Sequence, residues 1–286
     1  MKRNYKAIDI VYNLYDQATY DLRPTWQRER IYRGAGYAKM NTQPAITIEQ
    51  HIEMLDRAGI EIALMPAVKC GTDQGGKRLE GFEVPYESVY NVTKKYPGRI
   101  YGLAGVDPTE GMEGLRQLEY AVKELGFIGA HSYPHWHDIS PLDARYYPIY
   151  AKCIELDIPI QMQIGHAGPT RCYTVFKPIY LDRIAIDFPE LKIIGIHTGF
   201  PWVDEAISVS WKHENVYIGA DAWAPKYWKP EFVHYINSWG QDKVIWGSDF
   251  PIVNPERCME EVEELGLNEV SKKKLLVDNA RKLYKL

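Results

Sequence analysis

Four cysteines, Cys70, Cys153, Cys172 and Cys258, are too few and too scattered for a metal ribbon or a redox pair. None stands at CxxC spacing, and they read as reduced thiols of a cytosolic protein. No segment approaches the ~20 apolar residues of a membrane span. The basic start MKRNYKAIDIVYN carries no apolar stretch of signal-peptide length, so the expected location is the cytoplasm. Long blocks of like charge are missing, with a net charge of −4 and a pI of about 6.1. That balance argues against a nucleic-acid or membrane-surface partner. Internal repeats and low-complexity tracts are also absent.

A further absence narrows the fold. Short apolar runs alternate with helical patterns: Ala7–Tyr12, Ile60–Ala67, Ile100–Asp107, Ile128–Pro134, Ile158–His166, Lys192–Gly199, Asn215–Asp221 and Lys243–Asp249. They are continuous rather than alternating, as buried parallel strands are. The first run is followed by Asn13-Leu14-Tyr15-Asp16 and not by the glycine-rich turn of a doubly wound nucleotide-binding sheet. Eight strand–helix units in 286 residues predict one α/β domain over 1–286, a (β/α)8 TIM barrel. Between Asn13 and about Pro44 no strong periodicity is visible, a gap of ~30 residues where a few are usual. It is expected to be a lid or substrate loop over the barrel mouth.

What is present is chemistry at strand ends. His166 ends IPIQMQIGH, His197 lies in KIIGIHTG, Asp249 ends KVIWGSDFP, and His131 lies in IGAHSYPHWH. In a barrel these ends converge on one mouth, and imidazole and carboxylate serve as acid–base groups or ligands of a divalent ion. Aromatic residues at 13%, with 21 Tyr and 8 Trp, suit a pocket for a flat organic substrate. Arg23, Arg28, Arg30 and Arg33 in the long loop, and Arg171 after His166, are candidate carboxylate clamps. Arg171 and Arg28 are expected to bind substrate, with Tyr173, His131 and Asn13. His135 and His137 sit in a Pro-interrupted loop without the fixed geometry of a metal cluster.

The pieces IDIVYN, IPIQMQIGHAG, DRIAIDFPELKIIGIHTGFPWVDEAI and VIWGSDFPI resemble the amidohydrolase superfamily. The similarity is to its branch of aminocarboxymuconate semialdehyde and γ-resorcylate decarboxylases. The resemblance implies a barrel in which His166 and Asp249 bind a divalent metal, Asp249 also handles a proton, and His197 polarises the substrate. One departure stands out: metal-using relatives carry His-x-His after the Ile-Asp pair, and this chain has Val11-Tyr12-Asn13. One bound Zn or Mn and no metal at all are therefore both compatible with the sequence. The expected function is hydrolysis of a small carboxylated ester or lactone, with Asp249 as general base and His166 and His197 beside the developing oxyanion. The alternatives are metal-dependent decarboxylation of an aromatic or muconate-type acid, and a degenerate barrel that only binds a ligand. The expected partner is a small molecule, and the expected assembly a homodimer or higher homo-oligomer.

Overall fold

The computed structural model describes residues 4–34, 44–71, 81–168 and 171–286. Eight parallel strands form a nearly closed barrel: β1 (Ala7–Asp9), β2 (Ile60–Ala67), β5 (Ile100–Gly105), β6 (Ala130–Ser132), β7 (Ile160–Gln163), β8 (Ile193–Ile196), β9 (Val216–Ala220) and β10 (Val244–Trp246), in that spatial order. A two-stranded antiparallel hairpin, β3 (Lys69–Cys70) with β4 (Phe82–Glu83), stands outside it. Each of the eight expected strands is present; Ile60–Ala67 keeps its expected bounds and the other seven end earlier than expected. The backbone leaves the ladder there to present side chains at the mouth.

Helices cover the outside. Ile48–Ala58 starts on a capping box, in which Gln50 N–H donates to Thr47 Oγ1 and Thr47 N–H to Gln50 Oε1. It stops at Gly59, whose φ of 69° is open to glycine at little cost. The C-terminal helical stretch begins at Glu269 and contains a π-helical turn, Lys274–Asp278. From the final helical segment, Asn279–Tyr284, the Tyr284 hydroxyl reaches into the barrel to accept from Gln161. No helix among the described residues is long and apolar enough to cross a membrane.

The long first connection differs from expectation. Among its described residues it holds two helices, Gln17–Asp21 and Thr25–Gly34. The second is largely polar, TWQRERIYRG, so its period was hidden. Residues 35–43 of that loop, Tyr37 included, lie outside the described residues.

The barrel closes between its first and last strands. Ile10 N–H donates to Trp246 O at 3.3 Å and Asp249 N–H to Val11 O at 2.8 Å. Asp9 fastens this seam: its fully buried carboxylate accepts from Ser248 N (2.9 Å), Ser248 Oγ (2.5 Å) and Val11 N (3.1 Å). Burial nevertheless pushes the Asp9 pKa up to about 7, against these bonds. Asp9→Ala leaves three donors unmatched in the core. It is expected to cost about 3 kcal/mol, read as a lower urea midpoint; an unchanged midpoint would show that the seam holds without it.

Candidate active site

The mouth of the barrel holds a cavity of about 390 Å³, a size that suits a single-ring molecule. Asn13, Gln163, His166, His197 and Asp249 provide much of its polar lining. Tyr15, Phe82, Tyr133, Trp136 and Trp223 supply aromatic surface. The second helix of the first loop, Thr25–Gly34, contributes Gln27, Arg30 and Ile31, and Arg23 comes from the turn before it.

Left-handed backbone turns the reactive side chains inward. His197 (φ 73°), Thr198 (φ 59°), Ala222 (φ 63°) and Asp249 (φ 53°) are all non-glycine residues in that region, at about 1–2 kcal/mol each. Hydrogen bonds hold three of them: His197 N–H donates to Asp221 Oδ1 at 2.8 Å, Thr198 N–H to Gly219 O at 2.9 Å, and Asp249 N–H to Val11 O at 2.8 Å. Gly165 (φ 72°) precedes His166, and any Cβ there would lie 2.4 Å from Phe200 O.

His197 and Asp249 are buried together with Asp221, a residue the sequence did not single out. His197 Nδ1 lies 2.6 Å from Asp221 Oδ2. Burial alone would depress the His197 pKa, but the carboxylates of Asp221 and Asp249 outweigh it and the net direction is upward. Burial drives Asp249 up to about 7, against the pull of His197 and the Asn13 hydrogen bond. His166 behaves in the opposite way: desolvation, with Arg30 and His197 nearby, lowers it to about 4. Its Nδ1 is buried without a hydrogen-bond partner, so a neutral imidazole borders the cavity. Gln163 Oε1 is likewise buried and unpartnered.

Other expected site residues fall outside the cavity lining. His131 lies in the barrel interior, where Nδ1 pairs with Gln161 Oε1 at 2.7 Å, and burial lowers its pKa to about 3. Arg171 packs its guanidinium over Trp136, 5.0 Å from the ring centroid. Tyr173 is exposed beside His166, with ring centroids 5.0 Å apart. Arg28 faces Tyr20 and Asp21 instead. Arg23 is the buried arginine, at 4% exposure.

The metal implied by the resemblance would draw donors from positions 11, 13, 166 and 249. Val11 is buried and has none to give. The Asn13 side-chain amide donates to Asp249 Oδ1 and to Phe250 O, both at 2.8 Å. Both partners are acceptors, so the NH2 group must face the carboxylate, and an N–H does not ligate a cation. These residues do not fit that ion. Among the described residues a different group, His197, Asp221 and Asp249, offers ligand atoms within 4.8 Å of one another and could hold a metal ion. His166 is not in it, and both Asp221 oxygens are already taken by His197.

The family model described as Amidohydrolase matches residues 54–286. A γ-resorcylate decarboxylase from Polaromonas sp. is 25% identical over 83% of this chain and 87% of its own length. An uncharacterised TIM-barrel protein from Bordetella bronchiseptica superposes with a TM-score of 0.81, at 24% identity, over 97% of this chain and 98% of that one. A dihydroxybenzoic acid decarboxylase from Polaromonas sp., with bound manganese and 2-nitroresorcinol, gives a TM-score of 0.70 at 19% identity, over 99% and 97% of the two chains.

The His197–Asp221 pair makes a direct prediction. Asp221→Asn removes the charge that offsets burial, so the His197 pKa should fall below the ordinary imidazole range. An NMR titration of the ring protons reads this out; a His197 pKa that stays raised would mean that Asp249 alone sets it.

Proposed function

The chain belongs to the amidohydrolase family and is an enzyme of that superfamily, and from this we propose that it is a carboxy-lyase acting on a small aromatic or conjugated carboxylic acid. The observation that carries the reading is the buried Asp249 carboxyl, whose pKa near 7 lets it hold a deliverable proton at neutral pH. The proton passes from Asp249 to the carbon bearing the substrate carboxylate. The bond to that carboxylate then breaks, its electron pair restores the conjugated system, and CO2 leaves. Asp249 is left as an anion, stabilised by the Asn13 N–H and by a His197 imidazolium that Asp221 favours. Neutral His166 and the free Gln163 Oε1 offer uncharged polar contacts to the substrate. The decarboxylase relative that spans most of the chain supports the same direction.

A second reading, hydrolysis of an ester or lactone with ionised Asp249 as base toward water, is favoured by the missing donors at positions 11 and 13. The sign of the pH dependence separates the two. An acid must be protonated, so kcat/KM for CO2 release from a panel of hydroxybenzoates, benzenedicarboxylates and muconates should be level below about pH 7 and fall about tenfold per pH unit above it. A base gives the mirror image, rising to a plateau above about pH 7. Asp249→Asn should reduce turnover by about 10²–10⁴-fold in either case. Dialysis against EDTA should leave the rate unchanged; loss of activity that manganese restores would overturn the residue-based proton transfer.

A further inference from the structure

Arg23 is a buried guanidinium that makes no ion pair among the described residues. Its side chain sits against Tyr15, 3.9 Å from the ring centroid, and against Phe82 at 4.8 Å. Among the described residues its one hydrogen bond is a long contact of 3.5 Å from Nη2 to Leu14 O, and Nε has no partner. No carboxylate among the described residues pairs with it. Guanidinium stays charged at any pH a protein meets, and a buried charge normally requires a counter-ion. The ring faces provide part of that compensation and leave most of the N–H fork unused.

The open side of Arg23 is the cavity it lines. Its charge reaches Asp249, whose pKa it lowers. A second guanidinium, Arg30, stands at the solvent-exposed rim against Gly168 and near His166, also without an acidic partner among the described residues. Asp249 is the sole carboxylate in the described lining. The cavity therefore presents two separated cations, one on the Phe82 side and one on the His166 side.

We propose that the substrate is a dicarboxylate, with one carboxylate held by Arg23 in the buried wall of the cavity and the other by Arg30 at its rim. This rests on the carboxy-lyase reading for what happens next: one carboxylate leaves as CO2 and the other stays on the product. The binding claim itself does not depend on turnover.

Calorimetric titration of the wild-type protein and of Asp249→Asn with phthalate, isophthalate, terephthalate and benzoate tests it. At least one dianion should bind ten times or more tighter than benzoate, in both proteins. Arg23→Gln should erase the preference while keeping a melting temperature equal to or above wild type, because an unpaired buried charge is gone. Arg30→Gln, at the exposed rim, should weaken dianion binding several-fold and leave benzoate unaffected; it serves as the test should Arg23→Gln not fold. Benzoate binding as tightly as every dianion, or a preference that survives both variants, overturns the proposal. A preference for dianions that depends on the arginines, with no CO2 released from any acid, keeps the dicarboxylate site and removes the carboxy-lyase reaction.

Discussion

Closure of the barrel between β1 and β10 is the constraint on which the site depends. The strands there are short, three residues each, and side chains complete what the ladder does not. Asp9 ties Val11 to Ser248, and Asn13 ties its own turn to Asp249 and Phe250. The stitch that shuts the barrel thus also sets the position and ionisation of the carboxylate at its mouth. Loosening the seam would move Asp249 relative to His197, which is carried by β8 on the other side of β9.

Desolvation acts on every titratable group near the mouth and sets the direction unless charged neighbours outweigh it. Asp249 rises because burial exceeds what Asn13 and His197 return. His166 falls because burial lowers it and the nearby Arg30 and His197 push the same way. His197 alone has a carboxylate in direct contact, so it rises despite being buried. Three groups in one cavity therefore take different protonation states near neutrality: an acid near its midpoint, a neutral imidazole, and an imidazole biased toward its cation. That separation is what acid–base chemistry needs from side chains of only two kinds.

The barrel was legible because parallel strands covered on both faces must be apolar throughout, and the eight runs were. His166, His197 and Asp249 were legible because strand ends in such a fold share one mouth, and all three line the cavity. Asp221 was missed although it closes the seventh predicted strand much as Asp249 closes the eighth; the parallel was available. His131 reads like the others in sequence, yet it takes part in a buried network with Gln161 and Tyr284. Arg23 and Arg28 are five residues apart in a polar stretch, and nothing local says which is swallowed by Tyr15 and Phe82. Burial of that kind is decided by tertiary packing, as is the helix Thr25–Gly34, whose polar face conceals its period.

The amide at Asn13 has a consequence for substitution. Val11 packs in the core, so an imidazole appearing there alone would be buried with no partner. An imidazole appearing at position 13 alone would take away the donor that Asp249 relies on and still leave an incomplete ligand set. Each single replacement therefore removes something the structure uses, packing at Val11 or the donor to Asp249 at Asn13, and neither alone supplies a pair of ligands.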